Sequence, residues 1–180
     1  MRNAIAVAVV AGLVTGCGDA LFGADLMVRI SAKELGDETF ASVVRYDLHI
    51  IAGELPDRSP LECAPFESGE LEVDDPGVDL VYSAELRPSG PCTEGGCPLE
   101  VAPPPIGDLE EGRILVLARA WDADCRVVAS ACLPIMLLRG QDRVVELELC
   151  DHADSDAGCF ASEVVPRCRE GQSCVDGACL

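Results

Sequence analysis

Apolar residues fall at every second position over several short stretches of this chain, the period of a strand with one buried face. Leu26, Val28 and Ile30 begin the pattern. Val44, Tyr46, Leu48 and Ile50 share one face, with Arg45, Asp47 and His49 on the other. Val78, Leu80, Tyr82, Ala84 and Leu86 repeat it, and residues 70–74 alternate with the polar positions outward. Residues 113–121 form an apolar run suited to a central strand. Asp122-Ala123-Asp124 predicts a hairpin turn and residues 126–133 the returning strand. Residues 135–138, a turn at 140–142 and residues 144–149 complete the set. Outside the first 16 residues, no stretch of about 12 residues carries a helical stripe. Seven or eight short strands separated by Gly, Pro and Asp turns predict an all-β fold, an antiparallel sandwich in preference to a barrel.

Two regions interrupt the strands. Residues 52–68 contain Pro56, Pro60, Cys63 and Pro65; residues 87–112 contain Pro88, Cys92, Cys97 and three consecutive prolines at 103–105. Loops of this length are functional or pinned, and here cysteines supply the pins. From Cys150 the chain turns cysteine-dense and poor in apolar residues, so this tail cannot bury a core of its own and depends on bridges. The predicted organisation is a leader at 1–16, a tether at 17–25, a sandwich at 26–149 and a disulfide-rich tail at 150–180.

The leader reading rests on Met1-Arg2-Asn3, an uncharged stretch of 11 residues from Ala4 to Val14, and then Thr15-Gly16-Cys17. A short positive segment, an apolar segment and small residues before a cut make a secretory signal. Eleven residues span roughly 16 Å as a helix, about half of a bilayer core, which is too short for a stable anchor. Val14-Thr15-Gly16-Cys17 resembles the lipobox of bacterial lipoproteins. That resemblance implies cleavage before Cys17, lipid on its sulfur and its new amino group, and attachment to a bacterial membrane. Gly18 in place of Asp implies the outer membrane in preference to the inner one. Two or three acyl chains suffice for stable anchoring, where one holds marginally.

Cysteine arithmetic agrees with this reading. There are 11 cysteines, an odd number for an exported chain. Lipidation of Cys17 leaves ten, Cys63, Cys92, Cys97, Cys125, Cys132, Cys150, Cys159, Cys168, Cys174 and Cys179, which can pair completely in an oxidising compartment. One pairing is disfavoured. If residues 125–132 form one strand, the two ends lie roughly 23 Å apart, whereas a bridge needs Cα atoms within about 7 Å. The tail holds five cysteines, so full pairing sends at least one bridge out of it. Zinc is disfavoured, since the cysteines lack a tight CxxC pair and only His49 and His152 could add nitrogen.

Residues 119–132, Arg-Ala-Trp-Asp-Ala-Asp-Cys-Arg-Val-Val-Ala-Ser-Ala-Cys, resemble the late hairpin of a transthyretin-like or immunoglobulin-like sandwich. Residues 168–179, Cys-Arg-Glu-Gly-Gln-Ser-Cys-Val-Asp-Gly-Ala-Cys, resemble small disulfide modules of extracellular proteins. Together they resemble the disulfide-rich lipoproteins of myxobacterial type, a group mostly without assigned activity.

A formal net charge of −19 opposes binding to nucleic acid, because phosphate backbones are repelled. Asp151, Asp154 and Asp156 could offer oxygens to Ca2+, although Gly158 and Val165 stand where an EF-hand loop places acids. An acidic, solvated loop is the plainer reading of that cluster. His49 is expected to be solvated or in a cross-strand polar pair, and His152 to lie in a flexible loop, so no Ser–His–Asp constellation is anticipated. Tyr46, Tyr82 and Trp121 fit core positions better than ligand contacts. The expected function is therefore non-enzymatic: a lipid-anchored envelope protein presenting a disulfide-stapled sandwich to an envelope protein partner, with residues 52–68 and 87–112 as the contact surface. No cofactor is expected. The alternatives are a small-molecule or calcium-binding module, and an envelope hydrolase using carboxylates, which a concave pocket with two convergent acids would favour.

Overall fold

Most of the alternating stretches pair as strands and enclose a core between two sheets, so the all-β sandwich expected from the periodicity is what forms. The computed structural model describes residues 24–32, 35–55, 59–88, 106–138, 141–153, 172–175 and 178–180. In chain order the elements are β1 (Ala24–Ser31), α1 (Asp37–Ser42), β2 (Arg45–Ala52), α2 (Ala64–Glu67), β3 (Asp79–Leu86) and β4 (Ile106–Leu109). There follow β5 (Gly112–Trp121), β6 (Val127–Leu137), β7 (Arg143–Glu148), β8 (Cys150–Asp151), β9 (Cys174–Val175) and β10 (Ala178–Cys179). One sheet runs β3-β2-β5-β6-β8, the second runs β4-β1-β7, and β9 and β10 form a separate hairpin.

The apolar run of β5 is buried on both faces. Ile114, Val116, Ala118 and Ala120 belong to the core between the sheets, with Leu26 and Val28 of β1, Tyr46, Leu48 and Ile50 of β2, and Val145 and Leu147 of β7. Leu115 and Leu117 project from the opposite face into a second cluster. There the connection between β2 and β3 covers them with Leu55, Leu61 and Phe66. Leu115, Leu117 and Phe66 are fully buried, and each contributes about 2–3 kcal/mol through burial.

Two disulfides fix what the sheets do not. Cys63–Cys132 ties the β2–β3 connection to β6, with Cα atoms 5.7 Å apart. Cys125–Cys174 ties the β5–β6 turn to the tail hairpin at 5.8 Å. Cys125 and Cys132 therefore bond elsewhere, in line with the strand-length argument, and the tail does send a bridge into the sandwich. Cys150 and Cys179 are also disulfide-bonded. Cys17, Cys92, Cys97, Cys159 and Cys168 lie outside the described residues. The turn itself is organised by Asp122, whose Oδ1 accepts from the N–H groups of Asp124 and Arg126 at 2.9 Å. Its Oδ2 accepts from Arg126 Nε at 2.7 Å, and Cys125 takes a left-handed backbone (φ 57°).

Several elements depart from the sequence expectation. Residues 70–74 are turns, because Asp75 Oδ2 captures the Glu72 N–H at 2.8 Å while Leu71 and Val73 pack onto the second cluster. β4 is a strand inside a region expected to be loop, with Ile106 and Leu109 buried. β6 runs unbroken through Pro134. Pro134 pairs with Leu115 of β5, and β8 flanks β6 only at Ala129 and Ser130, so the missing N–H falls where the described strands offer no second neighbour. β1 pairs with β7 in parallel, from Leu26 with Arg143 to Ser31 with Glu148, a departure from the purely antiparallel expectation. α1 and α2 have six and four residues, too short to show as a stripe.

Replacing both Cys63 and Cys132 with serine should lower unfolding free energy by about 3–4 kcal/mol, since their sequence separation of 69 constrains a large loop in the unfolded chain. Urea denaturation of the oxidised protein measures it. A loss below 1 kcal/mol would show that the second cluster holds the connection unaided.

Candidate functional site

Among the described residues, three places gather chemistry-bearing side chains. The first is an open groove of about 680 Å³ between β3 and β4, the edge strands of the two sheets. The chain crosses from one sheet to the other here, through residues 110–112, and Gly53, with a left-handed backbone (φ 79°), lines it just after the end of β2. Ala52, Tyr82, Ile106, Leu109 and Ile114 give the groove an apolar lining. Glu54, Asp79, Glu110 and Glu111 surround it, with Arg113 as the one basic residue among the described lining. The pairing of strands brings these acids together from three separate segments, which no local motif in the sequence signals. Tyr82 is half-buried, packing against the core as expected while also lining the groove.

The second place is a polar stripe on the outer face of the larger sheet. Arg45, Asp47 and His49 alternate along β2 with the core residues, as the periodicity predicts. The Arg45 guanidinium lies 4.5 Å from the centroid of the Trp121 ring and donates to Asp47 Oδ2 at 3.2 Å. Burial pushes the Asp47 carboxyl up to about 6; Arg45 opposes this, Glu85 adds to it, and Arg119 opposes it. The Trp121 indole N–H also favours the charged carboxylate, but it closes no hydrogen bond of good geometry among the described residues. His49 is buried, in a cross-strand pair with Ser83 (Oγ to Nδ1, 3.1 Å), so the solvated alternative does not apply. Burial, then Arg119, then Arg45 push its ring down to about 4, against Asp74. Arg119 is buried on β5 and donates to Glu72 Oε2 at 2.6 Å and to the Phe66 carbonyl at 3.0 Å. Its cation thereby latches the β2–β3 connection to the sheet. Tyr46 lies in the core between the sheets, as expected, and Trp121 is buried too, but on the outer face against Arg45.

The third place is His152, which is buried rather than held in a loose loop. Nδ1 lies 3.1 Å from the Val127 carbonyl, a group that can only accept, so Nδ1 carries a proton. The Ser130 hydroxyl then donates to Nε2 at 2.8 Å. Asp151 takes no part in this pair. Its Oδ2 accepts from Gly36 N–H at 3.0 Å, while its Oδ1 accepts from Thr39 Oγ1 at 3.0 Å and Ala153 N–H at 2.9 Å. A Cβ at residue 36 would sit 3.3 Å from Asp151 Oδ2, so glycine there permits the approach. Ser130, His152 and Asp151 thus fasten the start of the tail to β6 and α1, and both members of the Ser–His pair are shut off from solvent.

Of the calcium candidates, Asp151 spends its carboxylate inside the fold, and Asp154 and Asp156 lie outside the described residues. Cys63, Glu67 and Cys132 place three potential ligand atoms within 4.8 Å of one another, but the two sulfurs are bonded to each other and offer no thiolate. Sequence reasoning did not connect Glu67 with this bridge; burial raises its carboxyl above the ordinary range. No protein-family profile matches the chain, and no curated protein matches it in sequence.

His49 and Asp47 set opposing pH slopes. A ring lowered from 6.5 to about 4 contributes stability above pH 6.5 that is lost as pH falls through 4. A carboxyl raised from 3.8 to about 6 contributes stability below pH 3.8 that is lost as pH rises through 6. The two nearly cancel between pH 4 and 6. Relative to the parent, His49→Gln should therefore gain stability on acidification from pH 6 to 4, and Asp47→Asn should lose it. Chemical denaturation at pH 4, 5 and 6 checks both signs, and parallel curves for the two variants would refute the assignment.

Proposed function

We propose that this chain is a non-enzymatic, lipid-anchored protein of the bacterial cell envelope that presents a disulfide-stapled sandwich to a protein partner. The observation that carries the reading is the pair of bridges Cys63–Cys132 and Cys125–Cys174, each joining an irregular segment to the sheet. Such bridges persist in oxidising compartments outside the cytosol, which agrees with the leader and with a lipidated Cys17. Among the described residues no helix is long and apolar enough to cross a membrane, and attachment through Cys17 requires none. Both faces of β5 are filled with side chains, which makes the sandwich a rigid platform for surface contacts.

The connection between β2 and β3 serves this platform mainly as a cover. Leu55, Leu61 and Phe66 are spent on the core, leaving Glu54, Pro60, Glu62 and Ala64 exposed for contact. The groove favours a second reading, small-molecule binding, because its volume falls within the range of ligand pockets. It supports the hydrolase reading less well. Its acids among the described residues are all exposed, and a carboxyl group serving as general acid relies on burial to retain its proton.

Protein purified from native membranes without reductant should have an intact mass that begins at Cys17, is raised by a diacylglycerol and an acyl chain, and is lowered by ten hydrogens. Mild crosslinking before extraction should then return one envelope protein in near-stoichiometric yield. An unlipidated mass with a free thiol would sink the anchor, and the absence of any crosslinked partner would sink the scaffold.

A further inference from the structure

We propose that the groove between β3 and β4 is the contact point for the partner protein, and that it receives an arginine or lysine side chain from an extended segment of that partner; this deepens, and rests on, the protein-binding reading above. The groove is two-part. Its lining is apolar, from Tyr82, Ile106, Leu109 and Ile114, and its charged groups among the described residues are Glu54, Asp79, Glu110 and Glu111 against Arg113. A basic side chain has the same two parts in the same order, an apolar stem of three or four carbons and a terminal cation. Its stem covers apolar surface while its head reaches the acids.

Other occupants meet a mismatch. An acidic side chain faces four carboxylates, and a purely apolar one takes water from them without supplying a partner. The volume of about 680 Å³ exceeds what one side chain fills, so residues flanking the cation enter with it. The lining comes from β3, β4, the start of β5 and the end of β2, so the groove is built largely from sheet and is held ready before binding. The formal net charge of −19 draws a basic segment toward the molecule from a distance. The groove supplies the local discrimination.

The test must separate that local recognition from general attraction. The oxidised mature chain would be titrated with acetyl-Gly-Ile-Arg-Ile-Gly-amide, and with the same peptide carrying citrulline, the uncharged isostere of arginine. Backbone amide shifts would be followed by NMR. Expected are shifts centred on residues 79–82, 106–114 and 52–54, with binding weakened roughly tenfold by citrulline or by the double change Glu110→Gln and Glu111→Gln. Changing the exposed acids Glu38 and Glu148 to Gln, away from the groove, should leave binding unaltered. Equal binding of the two peptides, or equal weakening by the remote changes, overturns the proposal. Spermidine binding as tightly as the peptide would assign the groove to a free polyamine and overturn the protein-segment assignment. Crosslinking capture that persists in the Glu110→Gln/Glu111→Gln protein overturns the groove while leaving the scaffold standing. Arginine-dependent peptide binding with no captured partner supports the groove and overturns the scaffold.

Discussion

A strand that is apolar on both faces needs two covers, and β5 imposes that requirement on the rest of this molecule. Ile114, Val116, Ala118 and Ala120 demand one layer, and Leu115 and Leu117 demand another. The first is met in the ordinary way of a sandwich, by a second sheet. The second is met by the connection between β2 and β3, which packs Leu55, Leu61 and Phe66 there without forming a strand on that face. A cover of this kind lacks the hydrogen-bond ladder that would hold a sheet strand in place. Cys63–Cys132 and the Arg119 cation replace it with one covalent and one electrostatic fastening.

The same outer face explains the perturbed groups on β2. Beyond the reach of the apolar cover, the stripe continues as Arg45, Asp47 and His49, still largely out of water. Burial decides the charge states there, opposed by the cations of β2 and β5 at Asp47 and reinforced by them at His49. One half-buried carboxyl and one buried imidazole are each held toward their uncharged forms, so the acid sensitivity of one is offset by the other.

What could be read from the sequence was whatever leaves a local period. β2 and β3 are visible because Tyr46, Leu48 and Ile50, or Tyr82, Ala84 and Leu86, mark a face, and β5 because residues 113–121 form an apolar run. Residues 70–74 mislead for a physical reason. A loop laid across a sheet also alternates, since Leu71 and Val73 pack inward while their neighbours face water. β4 escapes because four residues containing Gly107 show no period. Pro134 suggests a break that an edge position does not require. The Asp122 turn was legible, as a short acidic segment between apolar runs. The bridge partners, the Ser130–His152 pair and the groove were not, because each joins residues that the chain keeps far apart. Ser130 and His152 meet only because β8 adds to β6, and Glu54 meets Glu110 only because β2 and β5 are neighbours.

The parallel pairing of β1 with β7 bears on the order in which the molecule is assembled. Leu26 cannot find Arg143 until nearly the whole sandwich has been synthesised and delivered, and pairings across such a span form slowly because a long loop must close first. The five-stranded sheet closes shorter spans, since β5 and β6 are a hairpin and β2 meets β5 from Ala52 with Ile114 onward. The three-stranded sheet is thus the late half of the fold, and β1, which follows the segment carrying Cys17, is the strand that completes it. An attachment at that end acts directly on the final docking step. Tension on the N-terminus would peel β1 from β7 before disturbing the stapled half of the molecule.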